Sequence, residues 1–72
     1  MKITYVSDTD TLYIDLSKKP SAGTDEVADG VVVDYDSDGA ITGIEIDHAR
    51  ARLDLTRLVL TGFPGETQRE PA

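Results

Sequence analysis

The sequence predicts an α+β domain: an antiparallel β-meander of four to five strands with a short C-terminal helical segment packed on one face. Three observations lead there. Apolar side chains alternate with polar ones along much of residues 1–47, the two-residue period of a strand with one covered face. The alternating runs are separated by clusters of Ser, Thr, Asp and Gly, the composition of turns. Beyond Asp47 the period changes, and Ala49, Leu53, Leu58 and Leu60 become the apolar positions of a helical segment.

The first sixteen residues read as a hairpin. Ile3 and Tyr5 alternate with polar neighbours, Leu12, Ile14 and Leu16 alternate with Tyr13 and Asp15, and Ser7-Asp8-Thr9-Asp10 supplies the turn. With Asp8 and Thr9 at the tip, Tyr5 faces Leu12, Ile3 faces Ile14 and Met1 faces Leu16, so one register puts the large aliphatic residues on one side. Ser17 to Gly23 is a loop punctuated by Pro20 and Gly23. A brief edge strand around Glu26 to Ala28 and a bend at Asp29-Gly30 then lead into the β-branched run Val31-Val32-Val33.

The stretch "DYDSDGAITGIE" has two readings. Asp34, Asp36 and Asp38 occupy positions one, three and five of a calcium-binding loop, with Gly39 at six, Ile41 at eight and Glu45 at twelve. Helices hold such a loop at both ends, whereas Val31-Val32-Val33 before it and Ile44-Glu45-Ile46 after it favour strands. A hairpin accounts for the same residues. A type I turn over Ser37 and Asp38, with Gly39 left-handed, opposes Asp36 to Ala40 and Tyr35 to Ile41. One extra residue at Thr42-Gly43 then opposes Val33 to Ile44 and Val31 to Ile46. Val31, Val33, Tyr35, Ile41, Ile44 and Ile46 share an apolar face, and Asp34, Asp36, Thr42 and Glu45 a wet one. The hairpin is the leading reading. Weak calcium binding through Asp34, Asp36, Asp38 and Glu45 is the alternative.

In "DHARARLDLTRLVL", Asp47 and Asp54 are candidate N-caps, giving a single turn followed by a helix from about Leu55 to Leu60. Residues 1–61 are thus read as one domain, and 62–72, rich in Pro and Gly, as a disordered tail. The expected core is Ile3, Tyr5, Leu12, Ile14, Leu16, Val31, Val33, Tyr35, Ile41, Ile44, Ile46, Leu53 and Leu58. A chain of 72 residues buries only about 60–65% of its unfolded surface, so such a core is thin and self-association would help it.

Composition narrows the function classes. Without cysteine there are no disulfides and no thiolate metal sites. The net charge of -7 is unevenly placed, with three Lys against eleven Asp and Glu in residues 1–47 and four Arg against three acids in 48–72. No basic cluster is available to neutralise phosphates, which argues against nucleic acid as a partner, while a basic protein would be attracted to the acidic part. No run approaches the roughly 20 apolar residues of a membrane helix, and a cytoplasmic location is expected. No nucleotide or hydrolase motif occurs, and no cofactor is expected. His48, the single histidine, has no nucleophile or ligand companion and reads as a surface residue at the helix start. Tyr5 reads as core, and Tyr13, on the opposite side, as surface or interface.

The segments "MKITYVSDTDTLYIDLS" and "EVADGVVVDYDSDGAITGIEIDHA", followed by a short Arg and Leu stretch, resemble the bacterial and archaeal domain-of-unknown-function family twenty-two eighty-three. The resemblance covers about residues 1–60, on "D-x-LYI-x-L", "VDYD-x-DG" and "GIEI". It implies a small antiparallel sheet with a C-terminal helical segment and carries no catalytic residue or cofactor with it. Members encoded beside toxin-like neighbours make an antitoxin-like role the partner reading it suggests. The functional expectation is a non-enzymatic protein-interaction module, antitoxin-like or homo-oligomeric, whose acidic outer sheet face or exposed edge meets a partner, with weak calcium binding at residues 34–45 as its rival.

Overall fold

A computed structural model describes residues 1–71. They form five strands and one helical turn: β1 (Lys2–Val6), β2 (Thr11–Asp15), β3 (Gly23–Ala28), β4 (Val31–Tyr35), β5 (Ile41–Asp47) and α1 (Ala49–Arg52). Neighbouring strands are antiparallel throughout, in the order β1-β2-β5-β4-β3. The antiparallel sheet is as the alternation predicts, but the meander is not. A β1-β2 hairpin and a β3-β4-β5 unit meet along β2 and β5. Composition explains the choice: β3 reads GTDEVA and is exposed along its whole length, which suits an edge, whereas β5 offers Ile44 and Ile46 to neighbours on both sides.

The hairpin registers agree with the alternation. Ile3 lies opposite Ile14 and Tyr5 opposite Leu12. In the other unit Val31 opposes Ile46, Val33 opposes Ile44 and Tyr35 opposes Ile41, with the register shifting between the last two pairs to accommodate one extra residue at Thr42-Gly43. Gly39 has φ 82°, the left-handed backbone that the three-residue turn demands. The sheet joins these faces, since Leu12 opposes Ile46 and Ile14 opposes Ile44. The edge strand is longer than the expected Glu26–Ala28 and carries a bulge at Val27, where its pairing with β4 shifts by one residue.

The helical segment differs most from expectation. Only Ala49–Arg52 is helical, and no helix follows over Leu55–Leu60. Asp54 does accept bonds from the Thr56 N–H and hydroxyl, as a cap would, but the turn ends there. Leu55, Leu58 and Val59 do have helical spacing, but Thr56 and Val59 are β-branched and a run of six residues is too short to hold a helix by itself. Nor does α1 cover the apolar face. It sits at the end of the sheet near the β1-β2 turn and makes only sparse contact with the strands.

With no layer on the sheet, the core is correspondingly reduced. Of the thirteen residues expected inside, Val33 alone is buried; Tyr5, Leu12, Ile14, Val31, Tyr35, Ile44, Ile46 and Leu53 are half-buried, and Ile3, Leu16, Ile41 and Leu58 are exposed. Ala49, not among them, is fully buried. Residues 62–71 contain neither helix nor strand, and among the described residues no helix is long and apolar enough to cross a membrane.

Candidate interaction surface

The acids of the calcium-like stretch are used locally. Asp36 is buried, and its Oδ1 accepts the Asp38 N–H at 2.9 Å and the Ala40 N–H at 3.0 Å, while its backbone pairs with Ala40 and Gly39. It belongs to the turn and not to the wet face the alternation assigns it. Thr42 on that face is buried as well. Asp34 accepts from the Thr24 hydroxyl on β3 at 3.0 Å. The Lys19 ammonium stands 4.0 Å from Asp36, bringing the β2-β3 loop beside the turn. Asp34, Asp36, Asp38 and Glu45 do not converge, and among the described residues no group of three or more His, Asp or Glu side chains is disposed to hold a metal ion.

A second carboxylate as well connected as that of Asp36 is Asp10, which the alternation placed only in a turn. Its φ of 52° is left-handed, a conformation Asp tolerates better than most residues. Its Oδ1 accepts the Tyr5 hydroxyl at 2.8 Å and the Arg50 N–H at 3.0 Å, and its backbone carbonyl accepts the Ala49 N–H at 3.0 Å. Asp10 therefore supplies from outside the helix the cap that neither Asp47 nor His48 provides. His48 occupies the N-cap position with φ 53° and no side-chain capping bond, and its side chain is exposed. The available signal was a turn Asp followed, far along the chain, by a helix start whose adjoining residue is a poor cap.

The surrounding bonds shift both partners. The Tyr5 hydrogen bond, seconded by the Arg50 backbone and guanidinium, holds the Asp10 carboxyl below its usual range. Partial desolvation, followed by the bond to Asp10, raises the Tyr5 phenol. On the opposite side of the sheet the Glu45 carboxylate, directly across from Tyr13, raises that phenol in turn. Asp47 accepts from the Thr11 hydroxyl at 3.3 Å, and the Arg52 guanidinium lies next to Gly30, so this end of the sheet is closed by polar contacts.

The apolar side has no such closure. The registers place Ile3, Tyr5, Leu12, Ile14, Ile44, Ile46, Val31 and Val33 on one face across four strands. No side chain in the described chain is large and fully buried. The segment after α1 runs above the β1-β2 half of this face but stands off from it, leaving a groove of about 1540 Å³ lined by Ile3, Leu12 and Ile14 below and by Leu53, Leu58 and Phe63 above. Leu58 is 68% exposed and Val59 62%, so the segment's own apolar side chains are turned largely to water. Both walls of the groove thus carry large apolar side chains that the chain leaves largely uncovered, while Asp54, Arg57, Glu66, Arg69 and Glu70 add charge along the upper one.

Fold and surface together define a small open-faced antiparallel sheet, polar and acidic on one side and apolar on the other. The chain belongs to the family described as protein of unknown function (DUF2283), whose model matches residues 2–50. The match takes in all five strands and ends at the first residues of α1, so the apolar segment beyond Arg52 lies outside it. No curated protein and no solved structure matches the chain.

Proposed function

We propose that the protein is a non-enzymatic protein-interaction module whose working surface is the apolar face of the sheet together with the segment 53–63. The observation that carries this reading is the groove between them, in which large apolar side chains from both walls face open space among a charged fringe. Contiguous apolar surface of this kind costs free energy in water, on the order of 25 cal/mol per Å² left exposed, and a macromolecular partner that covers it recovers that cost. The acidic opposite face, with Asp15, Glu26, Asp34 and Glu45 on the strands, favours basic over acidic surroundings for the complex and remains available to solvent.

A photoreactive side chain introduced in living cells tests this. Placed at Leu58 or at Ile3, both exposed on the walls of the groove, it should give a discrete cross-linked adduct of fixed mass. At Ser37, in the acidic turn, it should give none. Adducts from Ser37 alone, or none from Leu58 and Ile3, would overturn the reading.

A further inference from the structure

The geometry points to a second copy of this chain as the occupant of the apolar face: two sheets stack through the side bearing Ile3, Leu12 and Ile14, and residues 53–63 of the two copies close the seam. The inference rests on the interaction reading above and commits it to one partner.

The amount of surface is the first reason. The chain exposes 5837 Å². A compact monomer of 7.8 kDa is expected to expose about 4,400 Å², which leaves an excess of about 1,400 Å². This excess is shared between the open sheet face and residues 53–71, of which all but Leu53 are exposed; a standard interface takes about 800 Å² from each partner and permanent homodimers more, so its size matches an obligate dimer whose seam takes in both. The radius of gyration agrees: it is 13.1 Å, against about 11 Å for a compact chain of 72 residues.

The chemistry of that surface is the second reason. A two-fold interface brings the same patch of both chains together, so the patch has to be complementary to itself. A flat apolar sheet face meets this condition, because two such faces pack about 10 Å apart with interdigitating side chains, as the layers of a β-sandwich do. The need for cover also begins when the sheet forms, since a lone sheet of this size holds little core. Another copy of the chain is the partner whose supply always matches that need.

Charge placement is the third. Two chains of -7 repel each other unless their acids are kept apart. Asp15, Glu26, Asp34 and Glu45 lie on the far side of the sheet from the apolar face. Asp25, a strand carboxylate that shares the apolar side, sits on the outermost strand β3, away from β1 and β2. Stacking through the apolar faces thus points most strand carboxylates outward, and around the groove Lys2, Arg57 and Arg69 balance Asp54, Glu66 and Glu70, so the seam itself carries no net excess of acid.

Sedimentation equilibrium of the full chain across micromolar concentrations tests the inference. The expected mass is twice 7.8 kDa. Ile14→Lys, on the apolar face, should raise the dissociation constant about a hundredfold or more, whereas Tyr13→Lys, its neighbour on the opposite face, should leave it within about threefold. If Ile14→Lys loses its β circular dichroism, Leu58→Glu on the covering segment serves in its place, with the same expected loss. A single-chain mass for the unaltered protein throughout the range would overturn the second-copy inference, as would equal loss in Tyr13→Lys, which would put the contact on the outer face or an edge. A single-chain mass combined with an adduct from Leu58 to a different polypeptide would sink the second copy and leave the interaction reading standing. A single-chain mass with no adduct would remove both.

Discussion

The acidic turn Asp36–Ala40 and the apolar segment 53–63 make opposite use of their side chains. In the turn, one carboxylate accepts two backbone N–H groups four residues apart or closer, and Gly39 provides the backbone angle, so the stretch is complete within itself. In the segment, Leu58, Val59, Leu60 and Phe63 are exposed, and the sheet beneath them is only half covered. Hydrogen bonds can be satisfied by neighbours in sequence, whereas apolar surface needs area brought from elsewhere. The stretch with the most specific sequence motif is consequently the chemically closed one, and the region with no motif is where the molecule is open.

Breaking the shared sheet should have the largest effect on both regions. Val33→Asp puts a charge at the buried apolar position of β4 and should cost several kcal/mol, enough to abolish the β circular dichroism of so small a domain. Next comes the turn. The Cβ that Gly39→Ala adds meets no neighbouring atom within 4 Å, so its cost is backbone strain alone, about 1–3 kcal/mol in a denaturant titration. Asp36→Ala leaves the N–H groups of Asp38 and Ala40 without their acceptor and should cost about 1–3 kcal/mol, while Asp38→Ala should be near neutral, a contrast that a metal-ligand role for both would not produce.

A smaller loss is expected from the Tyr5-Asp10 contact, and its pH dependence has two limits. The folded-state value of Asp10 is lowered, so its contribution is present above the ordinary carboxylate range near about 4 and is lost as pH falls through the lowered value. That of Tyr5 is raised, so its contribution is present below about 10 and is lost as pH rises through the raised value. The protection factors of the Ala49 and Arg50 amides, which divide out the intrinsic pH dependence of exchange, should be highest between these limits, and Tyr5→Phe should blunt the alkaline one. The smallest effect is expected from calcium: millimolar calcium should leave the amide resonances of residues 34–45 in place, and a saturable shift confined to Asp34, Asp36, Asp38 and Glu45 would contradict the turn reading.

What the sequence disclosed follows the same division. Strand periodicity was enough to place both hairpins in register, including the bulge at Thr42-Gly43, because a one-residue slip would have moved Ile44 and Ile46 to the polar side. The pairing of β2 with β5 lay beyond it, since alternation says which face a residue occupies and not which strand lies alongside. The cap from Asp10 was hidden because it joins residues forty positions apart. The helix expected over Leu55–Leu60 does not form although Leu55, Leu58 and Val59 have helical spacing, because six residues with two β-branched members do not sustain a helix by themselves. For the site, the charge split pointed to the acidic outer face or an exposed edge as the meeting surface; the apolar face was expected to be covered, and its openness came into view only once the helical cover proved missing.

The most direct test is an isotope-filtered NMR experiment on a mixture of labelled and unlabelled full-length chains. Intermolecular contacts from the methyl groups of Ile3, Leu12, Ile14 and Leu58, with none from Thr24 or Val32 on the other side, are the expected result. Intermolecular contacts from the outer face or the β3 edge, or none at a concentration where the sheet is folded, would contradict it.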